Sequence, residues 1–144
     1  MQLILGPWSQ LQSTAAQVRQ TVFVQEQGIP VELEWDAADA DCLHALILDD
    51  TGKAAGTGRL LPDGHIGRMA VLAAYRRQGL GGQILEALVT AAAARGHRSV
   101  VLSAQLHARS FYERHGFIAR GEIYDDAGIP HQQMVRTLDP ADQS

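Results

Sequence analysis

Two arginines and three glycines lie close together near the middle of the chain, within residues 76–82. An apolar stretch precedes this segment and apolar residues at helical spacing follow it, so the pattern predicts a strand, a turn and a helix in that order. Backbone N–H groups at a helix N-terminus lack partners within the helix and attract anions. Arg76 and Arg77 would add positive charge at the same place. The segment therefore predicts a site for a phosphate-bearing ligand.

The spacing of the glycines excludes the two commonest phosphate-binding loops. No Gly-Lys-Ser/Thr follows, as a Walker A loop requires, and Gly79, Gly81 and Gly82 are too close together for Gly-x-Gly-x-x-Gly. The alternative is that these are ordinary turn glycines. The neighbouring arginines and the helix that follows favour anion binding.

Acidic residues are concentrated outside this basic middle section. Residues 1–52 hold eight acidic residues and one arginine, whereas residues 53–120 hold ten basic and three acidic residues. This asymmetry favours an anionic ligand in the middle of the chain and a cationic one at its flanks. Glu26, just before a predicted turn, is the best candidate to bind an amine or to take its proton. The alternative is an acidic loop that contacts only solvent.

Length and composition limit the class of protein. A chain of 144 residues predicts one domain, here residues 1–140, with a polar tail at residues 141–144. A net charge of −4 and a single lysine argue against nucleic-acid binding. No apolar run approaches the roughly 20 residues of a membrane span, and the N-terminus lacks the basic region of a signal peptide. We therefore expect neither a membrane nor a nucleic-acid partner.

The single cysteine and the histidines are expected to be mainly structural. One cysteine, Cys42, excludes an internal disulfide and suits a reducing compartment, so a cytoplasmic location is expected. Cys42 and His44 fall at an apolar predicted strand and are expected in the core, with a functional role for His44 as the alternative. The histidines are scattered, and no metal site is expected.

The elements that must position these residues alternate along the chain. A short strand precedes a helix that Ser9 and Gln12 would open as a capping box and that would end near Gly28. Three strands then form an antiparallel meander, and the strand after the central helix should lie parallel to the strand before it. The predicted ranges are strands at 2–6, 42–48, 53–61, 66–72, 98–103, 118–124 and 132–138, and helices at 9–27, 80–95 and 106–115.

The turn resembles a known family loop. Arg-x-x-Gly-x-Gly at residues 76–81 is similar to the acyl-CoA pyrophosphate loop of the GCN-five-related N-acetyltransferase (GNAT) superfamily. Phe111 and Tyr112 precede Gly116 and Phe117, which is a second GNAT pattern. Residues 22–30, 56–60 and 127–134 look like the ElaA-type subgroup, so the resemblance covers nearly the whole chain.

The resemblance implies acetyl-CoA as co-substrate and Tyr112 as the general acid that protonates the departing thiolate. Gln105 or His107 would replace the asparagine that commonly contacts the pantetheine, and the choice between them stays open. His131 would line the acceptor pocket or would be structural. The remaining residues implied in cofactor binding are Met69, Ala70, Val71, Arg76, Arg77, Gln78, Gly79, Leu80, Gly81 and Gly82.

The expected fold is α/β: a mixed, mostly antiparallel sheet with a parallel pair at a splay and helices on both faces. The expected reaction is direct transfer of an acetyl group to the amine of a small molecule or peptide, without a covalent enzyme intermediate. A non-catalytic acyl-CoA-binding sensor and a nucleotide-binding protein are the alternatives. Assembly as a homodimer is left open.

Overall fold

The computed structural model describes residues 1–138, which form one seven-stranded sheet with the strand order β1-β2-β3-β4-β5-β7-β6. The predicted tail at residues 141–144 lies outside the described residues. The strands are β1 (Gln2–Pro7), β2 (Leu43–Leu48), β3 (Ala54–Leu60), β4 (His65–Val71), β5 (Ser99–Gln105), β6 (Ile118–Asp126) and β7 (Ile129–Thr137). The helices are α1 (Trp8–Arg19), a π-helical segment (Gln20–Glu26), α2 (Val31–Glu34), α3 (Leu80–Ala94) and α4 (Arg109–Arg114), with 3₁₀ turns at Ala37–Asp41, Ala73–Tyr75 and Leu106–Ala108.

The pairing of β4 with β5 is parallel, as predicted, and it is short. His65 pairs with Val101 and Ile66 pairs with Leu102, and the later residues of β4 and β5 do not pair with each other. The other neighbouring strands of the described sheet pair antiparallel. The two strands therefore separate toward their carboxyl ends. This confirms the predicted mixed, mostly antiparallel sheet with a parallel pair at its splay.

The central helix α3 packs on one face of this sheet through the predicted apolar stripe. The buried residues of α3 are Leu80, Ile84, Leu85, Leu88, Val89, Ala92 and Ala93. A Cβ atom at Gly58 of β3 would lie 2.9 Å from Ile84 Cγ2. Glycine at this position therefore lets α3 approach the sheet closely.

The opposite face of the sheet is covered by α1 and the π-helical segment. Val18 and Val22 are buried together with Ala70 of β4, while Met69 and Val71 pack against the α3 cluster. Successive side chains of a strand point to opposite faces of a sheet. The alternation along β4 therefore places helices on both faces, as predicted.

The first helix differs from its prediction at its start and in its second half. It begins at Trp8, with Pro7 at the N-cap position and no side-chain cap, so the predicted Ser9–Gln12 capping box does not form. Pro7 is in an extended conformation (φ −76°, ψ 161°), so β1 passes directly into the helix at this residue. Beyond Arg19 the chain continues as a π-helical segment and ends, as predicted, near Gly28.

Among residues 1–138, no helix has both the length and the apolar character that crossing a bilayer would require.

Candidate active site

The separation of β4 from β5 opens a cavity of about 390 Å³, which we call the splay cavity. Its walls come from both strands, from the π-helical segment and α2, and from the segment between β5 and α4. A second cavity of about 750 Å³, the loop cavity, lies around the turn before α3 and is lined by Arg76, Arg77, Gly79, Gly81 and Gly82. Met69 of β4 lines the splay cavity and Val71 lines the loop cavity. One strand therefore connects the two cavities.

The turn before α3 adopts left-handed backbone conformations that glycine favours. Gly79 is the N-cap of α3 with φ 78°, and Arg77 has φ 66°. The N-cap residue of α3, Gly79, has no side chain that could cap the first turn. The N–H groups at this end therefore lie at the loop cavity without a cap from this residue, which suits anion binding.

The other predicted residues of the turn have different surroundings. A Cβ atom at Gly82 would lie 3.1 Å from the ring of His115, so this glycine lets α4 pack closely against α3. Leu80 is buried in the core. Gln78 is exposed in the turn and is not among the residues that line the loop cavity.

Arg76 is held by two groups. Its Nη1 and Nη2 donate to Oε1 and Oε2 of Glu26, each at 2.6 Å, and its Nε donates to the Val71 carbonyl at 2.9 Å. The hydrogen bond from Arg76 lowers the pKa of Glu26. Glu26 therefore lies beside the loop arginine at the end of β4, and it is not among the residues lining the splay cavity.

Three of the acidic residues after Glu26, namely Glu34, Asp36 and Asp39, are paired with arginines, which the sequence did not predict. Asp39 accepts from Arg19 Nη1 at 2.8 Å and Nη2 at 3.0 Å, and from Arg59 Nη1 at 2.7 Å. Arg59 Nη2 also donates to Asp36 at 2.7 Å, and Arg19 Nε donates to Glu34 at 2.5 Å. We call Arg19, Arg59, Glu34, Asp36 and Asp39 the arginine–carboxylate cluster.

This cluster changes how the acidic stretch must be interpreted. Burial alone would raise the pKa of Asp39, but the hydrogen bonds from Arg19 and Arg59 outweigh it and lower that pKa. These carboxylates are therefore engaged with arginines of the same chain. The available sequence signal was Arg19, a charged residue next to Val18 on the buried side of α1.

Tyr112 of α4 lines the splay cavity. Its ring contacts Phe111 at a centroid distance of 5.0 Å and Phe117 at 5.9 Å, both edge-on. Burial raises the pKa of Tyr112 to about 12, so the phenol is protonated at neutral pH. Within residues 1–138 its hydroxyl has no hydrogen-bond partner, so it can donate to a group that enters the cavity.

Gln105 and His107 both line the splay cavity, so the structure brings both candidates for the pantetheine contact to the same site. The side-chain amide of Gln105 donates to Gln27 Oε1 at 2.9 Å, which links β5 to the segment after the π-helical turn. His131 lies in the same wall, where its Nδ1–H donates to the Ile129 carbonyl at 2.7 Å.

Cys42 and His44 are buried away from both cavities. His44 Nε2–H donates to the Asp39 carbonyl at 3.0 Å, its ring packs on Trp8, and burial lowers its pKa. Burial also raises the pKa of the Cys42 thiol, which keeps it protonated. Both residues thus support the core, as expected. Residues 1–138 contain no group of three or more metal-ligating side chains with suitable geometry.

The fold of this chain matches that of solved acyl-CoA N-acyltransferases. The crystal structure of an acyl-CoA N-acyltransferase from Pseudomonas aeruginosa is 34% identical, with a TM-score of 0.84, and the match covers 94% of this chain and 99% of that one. The crystal structure of Escherichia coli ElaA is 29% identical, with a TM-score of 0.85 and coverage of 94% and 99%.

The chain belongs to the GNAT family, because the sequence model described as "Acetyltransferase (GNAT) domain" matches residues 13–138. The uncharacterized N-acetyltransferase YjcF of Bacillus subtilis is 41% identical over 123 residues, covering 83% of this chain and 87% of YjcF. Escherichia coli ElaA is 34% identical over 129 residues, covering 85% of this chain and 84% of ElaA. These relatives confirm the predicted ElaA-type subgroup and an N-acetyltransferase with an acyl-CoA co-substrate.

Proposed function

We propose that this N-acetyltransferase uses acetyl-CoA and transfers the acetyl group directly to the amine of a small molecule or peptide. The observation that carries the proposal is the connection of the two cavities by β4. The loop cavity has the N-terminus of α3 and Arg77 for a phosphate, with Arg76 available once it leaves Glu26, and the splay cavity has a protonated Tyr112. The strand β4 therefore leads from the phosphate site in the loop cavity to the reaction site in the splay cavity.

In this proposal the pyrophosphate of acetyl-CoA binds at the N-terminus of α3. Arg76, Arg77 and Gln78 contact it together with the backbone from Gly79 to Gly82, with Leu80 fixing the helix through the core. The pantetheine follows Met69, Ala70 and Val71, and Gln105 or His107 contacts it from the other side. Backbone N–H groups of β4 polarise the thioester carbonyl.

The proposed reaction forms a C–N bond and breaks a C–S bond. The unprotonated amine attacks the thioester carbonyl carbon, the carbonyl re-forms, and the thiolate leaves with the proton that Tyr112 donates. The proton released by the new amide nitrogen restores the Tyr112 hydroxyl through solvent. No group of the protein becomes acylated.

Glu26 is the proposed partner of the amine. Its carboxylate is bound to Arg76, which also contacts the Val71 carbonyl at the end of β4. When the pyrophosphate takes Arg76, the Glu26 carboxylate loses that partner and is free to turn from the phosphate end of β4 toward the acceptor. It can then hold the incoming ammonium or accept its proton.

A thiol-release screen tests the proposed reaction. The protein is incubated with acetyl-CoA and a panel of monoamines, polyamines, amino acids and peptides with free N-termini, and free thiol is measured with time. We expect amine-dependent release for one class of acceptor. Tight acetyl-CoA binding without release in any member of the panel would favour the alternative, a non-catalytic acyl-CoA sensor.

Thermal shift measurements test the identity of the co-substrate. A ligand that binds only the folded state raises the melting temperature, and the rise increases with its affinity. We expect stabilisation by acetyl-CoA and coenzyme A. Stabilisation by ATP alone would contradict the proposal.

We also propose that the reaction takes place in the cytoplasm, where Cys42 stays reduced.

A further inference from the structure

Arg68 lies in the middle of β4, at the wall of the splay cavity, and it belongs neither to the turn before α3 nor to the arginine–carboxylate cluster. Its φ of 49° is in the left-handed region, which residues other than glycine rarely adopt. Such conformations persist where the surroundings impose them, and they are common at ligand sites.

The guanidinium of Arg68 has few partners. Its Nη2 donates to the Leu33 carbonyl at 3.4 Å and lies 3.9 Å from Asp36 Oδ2. Its Nε is buried and has no hydrogen-bond partner within residues 1–138. An arginine carries five N–H donors, so most of the donors of Arg68 are available to a ligand.

Arg59 provides a comparison within the same structure. Its Nε also lacks a partner, but its two η nitrogens each meet a carboxylate at 2.7 Å. The Asp36 oxygen nearest Arg68 is the one that accepts from Arg59. Arg68 is therefore the arginine of this region whose charge is not matched by a close carboxylate.

The electrostatic surroundings favour an anion beside Arg68. Burial lowers the pKa of Arg68, and the nearby charges of Arg59 and Arg19 lower it further, although the arginine stays protonated. A bound carboxylate would offset both effects, because arginine pairs with carboxylates through two parallel hydrogen bonds.

We propose that Arg68 binds a carboxylate of the acceptor, so that the acceptor is a small amine that also carries a carboxylate, such as a free amino acid. The inference rests on the proposed function and narrows its acceptor class. Met69 and Tyr112 line the same cavity as Arg68, so an acceptor held by Arg68 has its amine within the reaction site.

The shape and charge of the cavity favour a single carboxylate over a phosphate. Its volume of about 390 Å³ suits a small molecule. Glu34 and Asp126 also contribute to its wall, and these carboxylates would repel a dianion more strongly than a monoanion.

The test compares each amino acid with its primary amide, which keeps the amine and removes the carboxylate. Thiol release is measured with acetyl-CoA, and kcat/KM is expressed per unprotonated amine, since the two amines differ in pKa. We expect the amino acid to be preferred by about 10- to 100-fold, the size of a charge-assisted hydrogen-bonded pair. R68Q should remove this preference by raising KM for the amino acid, with KM for the amide unchanged.

Two further variants separate ligand binding from structural support. R68K should keep part of the preference, because lysine retains the charge without the paired geometry. R95Q removes an arginine at the C-cap of α3 and should leave the preference unchanged. A purely structural role for Arg68 would lower kcat/KM for acid and amide alike, and that result would overturn the inference.

The inference and the proposed function fail in different ways. Thiol release with equal use of acid and amide by the wild-type protein overturns the inference and leaves acyl transfer intact. If no amine supports thiol release, the carboxylate site is tested by binding alone. The protein is saturated with coenzyme A and titrated calorimetrically with the same amino acids and their amides. Binding of the amino acids but not of their amides, with loss of that binding in R68Q, supports the carboxylate site. Equal binding of amino acids and amides, or binding of neither, overturns it.

Discussion

At the scale of single residues, the proposed chemistry depends on a proton held by Tyr112. Burial raises its pKa to about 12, which makes it a weaker acid than a free phenol but keeps it protonated. A thiolate that forms in the same buried place is also made more basic, because burial disfavours every charged form. Burial therefore shifts the pKa values of the phenol and of the leaving thiol in the same direction, and the proton transfer between them is not made much less favourable.

Replacing Tyr112 by phenylalanine should lower kcat at least about tenfold, because the leaving thiolate loses its proton donor. The affinity for acetyl-CoA should stay nearly unchanged, as measured by thermal shift and calorimetry. Tyr124→Phe is the matched control: it removes a hydroxyl that bonds Ser103 and does not line the splay cavity. Unchanged turnover in Y112F would remove Tyr112 as the acid.

The value of kcat/KM should rise with pH, because the acceptor amine loses its proton. It should not fall again below about pH 10, because Tyr112 keeps its proton at every pH below its raised pKa of about 12. Initial rates between about pH 6 and pH 10 measure this profile. A falling limb near about pH 8 to 9, present in the wild type and absent in Y112F, would show that the tyrosine titrates much lower.

At the scale of elements, the site is built where β4 passes into the turn before α3. The π-helical segment contributes Phe23 to the splay cavity and Glu26 to the loop arginine, so a single element contacts both halves of the site. The link between Gln27 and Gln105 joins that side to β5. Irregular helical segments of this kind occur often at functional sites.

Gly79→Ala should weaken acetyl-CoA binding through the backbone of the turn. Gly79 has φ 78° and open space where a Cβ atom would lie, so alanine introduces conformational strain of about 1–2 kcal/mol and no collision. The N–H groups of the first turn should then shift, and KM for acetyl-CoA should rise several-fold.

Gly96→Ala is a matched control for that change. Gly96 follows the C-terminus of the same helix, with φ 88° and equally open surroundings. Both variants should lose similar stability in thermal unfolding, but only G79A should change KM. An equal rise of KM in both variants would mean that helix stability, and not the turn, controls binding.

At the scale of the whole molecule, the arginine–carboxylate cluster joins α1, α2 and β3 behind the splay cavity. Arg19 and Asp39 are 2% and 3% exposed, so their charges are stable there only because they are paired. Breaking such a buried pair from one side leaves an uncompensated charge.

Asp39→Asn should destabilise the fold by about 3–5 kcal/mol, because Arg19 and Arg59 lose their shared carboxylate. Asp41→Asn, at an exposed neighbouring carboxylate, should change stability little. Chemical unfolding measures both. Equal stabilities of D39N and D41N would contradict a supporting role for the cluster.

The same carboxylate determines the expected acid sensitivity. The pKa of Asp39 is lowered in the folded state, so its contribution is present above the unfolded value, near about 3.9, and is lost as the pH falls through the folded pKa. The stability difference between wild type and D39N should therefore shrink below about pH 4.

Sequence periodicity predicted the strands and helices because these depend on nearby residues, and the order strand, helix, strand then predicted the parallel pair. The stripe on α3 and the glycine turn were predicted for that reason. The link from Arg76 to Glu26 spans 50 positions, and that from Arg19 to Asp39 spans 20, so neither leaves a local pattern. The π-helical segment was missed because its apolar spacing resembles that of an α-helix.

The most direct test of the central claim is detection of the acetylated product by mass spectrometry. Acetyl-CoA with an isotopically labelled acetyl group is incubated with the protein and the amine panel, and both free thiol and labelled amide are counted. We predict labelled amide and free thiol in equal amounts, with a much slower appearance in Y112F. Acetyl-CoA binding without any labelled amide, or label retained on the protein, would contradict direct transfer to an amine.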